Sequence, residues 1–221
     1  MWLQKILISL GFAPRRGWNK KAQEFQLVIP DPVTAGVMKD PGFTVDYLWL
    51  QPVLGPVHHR VAQLRAENLA WLAPWEVNAP ADYPVTVPTL TQYRRESDWK
   101  FVQGQALTYL IHLDAQPVGV ITLMNVERGA SQSATVGYWL AQPYAGLGIA
   151  RAALSEVVDF CFLELALHRL DVYVRPENAA SLKLVESLPF LPEGVRRNYL
   201  YVDGNWRDHQ VYTTFKEVWF T

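Results

Sequence analysis

The sequence predicts an α/β fold, and three observations carry that prediction. Val57 to Leu72 has an amphipathic period, Leu107 to Leu140 changes to short β-branched runs, and a strand then passes through a glycine pair into a long apolar helix. At 221 residues and 25.2 kDa the chain can bury one substantial core. Half of its residues are hydrophobic, with 9 Trp, 10 Tyr and 9 Phe, far more apolar material than a disordered chain carries. Lys and Arg number 20 against 21 Asp and Glu, so the net charge of −1 supplies no global positive field for nucleic acid or an anionic membrane. A single cysteine, Cys161, excludes an internal disulfide and a CxxC metal site and fits a reducing, cytoplasmic location. The apolar stretch Ile6 to Ala13 falls well short of the roughly 20 residues that span a bilayer. Pro14, Arg15 and Arg16 follow it instead of a small-residue cleavage site.

Element by element, residues 1–44 mix that apolar stretch, a basic cluster (Arg15, Arg16, Lys20, Lys21) and turn formers at Pro30-Asp31-Pro32 and Pro41-Gly42, and read as an irregular extension packed on the domain. Val57, Val61, Leu64, Ala66, Leu69 and Leu72 recur at three- and four-residue spacing, which makes an amphipathic helix. Pro74, Pro80, Pro84 and Pro88 then forbid regular structure until Thr89 to Lys100 opens a second, more polar helix. Leu107 to Leu113 and Pro117 to Met124, parted by Asp114-Ala115-Gln116, form an antiparallel hairpin, and Ser133 to Leu140 adds a third strand. Gly137 inside that strand predicts a bulge or a close approach by another backbone.

The third strand runs into Ala141-Gln142-Pro143-Tyr144-Ala145-Gly146-Leu147-Gly148-Ile149-Ala150, where a helix with the apolar positions Ile149, Ala153, Leu154, Val157, Val158, Cys161 and Leu165 begins. A helix start leaves amide N–H groups without acceptors, and the helix dipole adds positive charge there. Glycines remove the β-carbons that would hold a phosphate away from those amides. The spacing is neither a Walker A motif nor the dinucleotide fingerprint, and taken alone it is equally a plain strand–helix connection.

The residues beyond the helix extend the pattern. His168-Arg169-Leu170-Asp171-Val172-Tyr173-Val174 reads as a strand. Arg175-Pro176-Glu177-Asn178-Ala179-Ala180-Ser181 then opens a short helix that ends before Phe190. Strand, Gly-x-Gly loop, helix, strand and Asn-x-x-Ser together resemble the acyl-CoA-binding half of the GNAT N-acetyltransferases. Tyr199 to His209, Trp71-Leu72-Ala73-Pro74-Trp75-Glu76, and Asn125-Val126 with Arg128-Gly129 are similar to the RimJ/RimL branch of that family, which acetylates α-amino groups of ribosomal proteins.

The resemblance implies a GNAT acyl-CoA N-acyltransferase fold over residues 45–221, with a mixed, mostly antiparallel sheet flanked by helices and residues 1–44 as an extension. It implies acetyl-CoA as cosubstrate. The pyrophosphate loop falls on Ala145, Gly146, Leu147, Gly148, Ile149 and Ala150, with Ala145 in place of the usual Arg or Gln. The pantetheine arm is expected along the backbone of Tyr138, Trp139 and Leu140. Asn178 is expected to contact the cofactor, and it is equally a preferred helix N-cap. Ser181 matches the serine proposed to protonate the departing thiolate in the RimJ/RimL branch. Many other GNAT enzymes use a tyrosine four residues later, where this chain has Val185.

An α-amine titrates near 7.7–8.0 and is already partly neutral at physiological pH, so a strong base is not compulsory. Glu76 and Glu127 are the two candidate bases, and each reads equally as a solvated surface carboxylate. The acceptor is a protein N-terminus, by resemblance ribosomal. The alternatives are a small-molecule amine, or a non-catalytic chain that binds acyl-CoA. His58-His59 read as surface residues rather than a zinc site, Cys161 as a core thiol, and His209 as structural or catalytic alike. Trp71, Trp75, Tyr83, Trp99 and Tyr199 are candidates to line an acceptor groove.

Overall fold

The computed structural model describes residues 26–80, 82, 83 and 86–221. The apolar stretch 6–13 and the basic cluster 15–21 lie outside the described residues. Eight strands form one sheet in the order β1-β2-β3-β4-β5-β6-β8-β7. They are β1 (Leu27–Pro30), β2 (Tyr47–Pro52), β3 (Leu107–Leu113), β4 (Gln116–Glu127), β5 (Ser133–Leu140), β6 (Arg169–Val174), β7 (Leu191–Val202) and β8 (Asn205–Phe215). Every neighbouring pair is antiparallel except β5 with β6.

Strand periodicity splits the core into two faces. Along β3, Tyr109 and Ile111 point into the larger cluster and Leu110 into the smaller. The larger cluster takes the long helix α4 (Ile149–Leu163) and the short helix α5 (Ala179–Glu186). α4 buries nine of its residues, Cys161 among them, and leaves a polar stripe of Arg151, Ser155 and Asp159 less buried. Burial pushes the Cys161 thiol well above its ordinary range, in keeping with a core residue. The smaller cluster takes Leu64 of helix α1 (Val57–Glu67).

The helix expected over Val57 to Leu72 is interrupted at Asn68, after which α2 (Leu69–Leu72) and a 3-10 turn (Ala73–Trp75) follow. Asn68 makes the break useful: Nδ2 donates to Leu64 O at 2.9 Å, and Oδ1 accepts from Gln142 N at 3.1 Å, just beyond β5. Helix α3 (Leu90–Val102) starts at Thr89, whose hydroxyl accepts from Gln92 N at 3.2 Å while Gln92 Oε1 accepts from Thr89 N at 2.8 Å, a reciprocal cap.

Three sequence expectations need correction. The extension expected to be irregular contributes β1 as an edge strand, and its Leu27, Ile29 and Met38 enter the larger core. Gly137 lies in regular register opposite Thr122, and its missing Cβ makes room for the Met124 methyl, while the irregularity of that ladder sits between Met124 and Glu127. His58 is buried and bonded to Asp98 at 2.9 Å, and only His59 is exposed. Among the described residues, no cluster of His, Cys, Asp or Glu could hold a metal, and no helix is long and apolar enough to cross a membrane.

A second buried histidine gives a pH dependence. His112 stacks on Trp49 at 4.1 Å and meets Gln51 Oε1 at 3.1 Å, and burial, followed by nearby Arg60, lowers its pKa to about 4. The unfolded chain takes up that proton from about pH 6.5 downward while the folded ring refuses it. Stability is therefore expected to fall as pH drops from about 6.5 to about 4, and the urea midpoint of His112→Gln should change less over that window than the parent's.

Candidate active site

The sheet opens where its one parallel pair ends. β5 and β6 pair only through Ser133↔Arg169, Ala134↔Leu170 and Thr135↔Asp171, although β5 continues to Leu140 and β6 to Val174. Residues 136–140 thus have β4 on one side and no strand on the other. At the far end of this edge, Leu140 O accepts from Trp71 Nε1 at 3.0 Å, so the exposed run over Tyr138 and Trp139 is closed off at Leu140 by α2.

Past Leu140 the chain makes a 3-10 turn and reaches the glycine pair. Gly146 has φ +79°, and a Cβ there would meet nothing within 4 Å. Gly148 caps α4 with φ +89° and no side-chain acceptor. The first helical hydrogen bond is Ala152 N to Gly148 O at 3.0 Å, so the amides of Ile149, Ala150 and Arg151 precede the helix ladder. These groups form an amide cradle at the positive end of the helix dipole.

Gly148 answers a second demand that the sequence does not reveal. A Cβ there would stand 3.1 Å from Val37 O and 3.3 Å from Met38 Cα. Lys39 N donates to Leu147 O at 2.7 Å, so residues 37–39 are seated on the loop itself.

α5 closes the opening from the face of the larger core. Asn178 is its N-cap, with Oδ1 accepting from Ser181 N at 3.0 Å. Its amide oxygen therefore serves the cap, one of the two roles expected for it. Ser181 Oγ lies 2.8 Å from Tyr138 OH, joining α5 to the unpaired part of β5. Burial pushes the Tyr138 phenol up to about 12, partly offset by the bond to Ser181. The sequence marked Tyr138 only for its backbone, yet strand alternation sends its ring towards α4 and α5 and Trp139 towards the opposite cluster. Position 185, where a family tyrosine is absent, is a fully buried valine. Tyr138 brings a phenol to Ser181 from a strand instead.

The two candidate bases occupy different places around the sheet. Glu76 is partly buried and ion-paired to Arg65 at 2.9 Å, in a segment tied to β7 by the Val77↔Val202 bridge and by Asn78 N donating to Tyr201 O at 2.9 Å. Glu127 is paired with Ser133 at the other end of β5 and accepts from Ser131 Oγ at 3.2 Å. At about 3.3 Å per residue, that leaves it roughly 17 Å along the strand from Tyr138, too far to act on the same amine. Arg175, which no local pattern singles out, fastens the opposite wall. Its Nη1 donates to Pro74 O at 2.7 Å, Nε donates to Glu177 at 3.2 Å, and the guanidinium lies 5.2 Å over Trp75. Trp71, Trp75 and Tyr199 border this wall, whereas Trp99 is on the outside of α3. His209 is buried, bonded through Nδ1 to Arg207 O at 3.1 Å, and held below its ordinary pKa by burial.

A gap between two strands beside an amide cradle at a helix start suits a ligand with a phosphate end and a slender amide arm. Residues 59–190 match the family description "Acetyltransferase (GNAT) domain". The chain belongs to the GNAT acetyltransferase family. GNAT enzymes use acetyl-CoA, and the residues fit it: Gly146 leaves open space, the first amides of α4 are unengaged by the helix, and the β5 edge is unpaired. The chain is 40% identical to Probable N-acetyltransferase YjcK of Bacillus subtilis over 98 residues, which is 44% of this chain and 54% of that one. It is 29% identical to the [Ribosomal protein uS5]-alanine N-acetyltransferase of Escherichia coli over 158 residues, 68% of this chain and 78% of that one. The structure of Mycobacterium smegmatis RimJ in complex with CoA-disulfide superposes with a TM-score of 0.70 at 35% identity, covering 77% of this chain and 83% of RimJ. A Vibrio cholerae spermidine N(1)-acetyltransferase matches at 26% identity over 49% of this chain and 64% of its own length.

Proposed function

We propose that this GNAT enzyme acetylates the α-amino group of a protein, a ribosomal protein N-terminus being the best-supported acceptor. The observation that carries the chemistry is the Tyr138–Ser181 hydroxyl pair at the opening between β5 and β6. The acceptor class rests on the similarity to the uS5-alanine enzyme, which extends over 78% of that protein.

When bound, acetyl-CoA supplies an activated acyl thioester. The amides at the start of α4, with Gly146 and Gly148, would hold its phosphates, and the backbone of Tyr138 and Trp139 its amide arm. The hydroxyls of Tyr138 and Ser181 share one hydrogen bond. With the phenol donating, Ser181 keeps its own proton free at Oγ, aimed at a leaving sulfur. Transfer would form the N–C bond and break the C–S bond with its electron pair going to sulfur, which takes the Ser181 proton, while the amine's proton goes to water and water returns one to Ser181; a neutral α-amine permits this without a protein base. Glu76, bound to Arg65, shapes the wall of the acceptor side rather than taking that proton.

Calorimetric titration with acetyl-CoA, followed by mass spectrometry of peptides beginning with Ala or Ser and of spermidine, tests the reading. Micromolar binding and acetylation at the peptide α-amine are expected. Acetylation of spermidine alone would transfer the function to small amines, and binding without any turnover would make the chain a non-catalytic acyl-CoA binder.

A further inference from the structure

We infer that Arg196 reads an anionic group close to the acceptor's amine. This inference deepens the reading of an α-amine acetyltransferase and rests on it.

The face of the sheet opposite α4 and α5 carries the acceptor wall. On β6, Val172 and Val174 enter the larger core, so Tyr173 points the other way. Tyr173 stands two residues beyond Thr135↔Asp171, the last pair before the strands part, and is therefore on the lip of the opening. Arg196 of β7 is opposite His209 of β8 and shares that face. Its guanidinium lies 4.6 Å from the Tyr173 ring and 4.8 Å from the Tyr199 ring, and those two rings are 5.1 Å apart. Two aromatic faces thus hold one cation at the lip.

Ring contacts do not use up the N–H donors of a guanidinium, and none of those of Arg196 meets a carboxylate among the described residues. The acids near the lip are already engaged. Asp171 is bound by Arg169 at 2.9 Å and by Thr213 at 2.7 Å, and Glu177 by Arg175 at 3.2 Å. The wall therefore offers a positive charge with open donors, while its neighbouring carboxylates are bonded elsewhere, Asp208 by Asn198 N at 2.8 Å, an arrangement that suits an anion better than a polyamine. An acceptor with a carboxylate near its amine matches it. That carboxylate can belong to an acidic side chain early in a peptide or to a free amino acid, and the two sources separate by assay.

The experiment measures CoA thiol release with peptides that begin with Ala and carry Asp, Gln or Lys at position 2, 3 or 4, alongside free glutamate, free aspartate and spermidine. For the parent enzyme, kcat/KM is expected to be about 10- to 100-fold higher for an Asp peptide than for its Lys counterpart, through KM. Arg196→Gln should erase that preference by raising KM for the Asp peptides to that of the Gln peptides, and Arg196→Glu should invert it. Preference for free amino acids over every peptide would support the anion-reading role and assign it to small acceptors. Equal rates on Asp and Lys peptides, or spermidine as the best acceptor, would overturn the inference while leaving acetyl transfer standing. No acetylation of any amine despite acetyl-CoA binding would remove both the functional reading and this inference. Circular dichroism and acetyl-CoA titration of each variant show that fold and cosubstrate site are intact.

Discussion

Ser181→Ala is expected to lower kcat by about 100-fold or more, the range for loss of a positioned proton donor, with the Kd for acetyl-CoA changed by less than about two-fold. The argument is geometric. Ser181 sits at the start of α5, its amide fixed by Asn178 Oδ1, and its hydroxyl is 2.8 Å from the Tyr138 phenol. Alanine keeps the helix and the cap but removes the oxygen bonded to the Tyr138 phenol. Tyr138→Phe should cost less, about ten-fold in kcat, because Ser181 retains its proton and loses only its orientation. The pH profile separates this buried pair from an ordinary, solvent-exposed tyrosine acid. An ordinary tyrosine acid, titrating near 10, would make kcat fall above that pH. Burial pushes Tyr138 up to about 12, so its proton is retained and no such fall is expected below pH 11. Stopped-time assays between pH 6 and pH 10.5 should show only the rise from amine deprotonation.

The second large effect is expected at Gly148. Gly148→Val places a β-carbon into backbone at 3.1 Å and forces a branched residue to φ +89°. The cost should be about 2–4 kcal/mol in urea denaturation, with acetyl-CoA affinity lowered at least ten-fold because the loop must move away from residues 37–39. Gly146→Ala separates the two contributions. Its φ of +79° strains alanine, but the Cβ meets no atom, so stability should drop by only about 1 kcal/mol while binding still weakens. If calorimetry showed Gly148→Val binding acetyl-CoA as tightly as the parent, the amide cradle would lie elsewhere.

The parts of this molecule that were legible in its sequence are those set by local chemistry. The strand Ser133–Leu140 and the start of the long helix at Ile149 follow from alternation and from glycine. The capping box at Thr89 follows from a Thr and a Gln three residues apart. The Gly-x-Gly loop and Asn178-x-x-Ser181 were equally visible, because such motifs are contiguous. Contacts between distant segments were not. Nothing local distinguishes Tyr138 as a side chain aimed at Ser181, 43 residues on, or joins Arg175 to Pro74 across 101 residues. β1 is four residues long and ends in a proline, too short to show a period, and only its pairing with β2 gives it form. His58 looked exposed because histidine is polar, and Asp98 on another helix is what permits its burial. The sequence offers a reason for Gly148 in a phosphate alone, whereas the crowding by Val37 and Met38 comes from more than a hundred residues upstream.

The seating of residues 37–39 on the loop makes two processes share one set of atoms. Leu147 presents its carbonyl to Lys39, while the amides just beyond it begin the anion cradle. Any occupant that fixes the loop also fixes the acceptor of the Lys39 amide, and any opening of the upstream segment loosens the cradle. If the loop holds the cosubstrate as proposed, occupancy of the loop and the seating of residues 37–39 on it are linked, each shifting the other by the same factor. The amide protons of residues 37–39 are then expected to exchange more slowly when acetyl-CoA is bound.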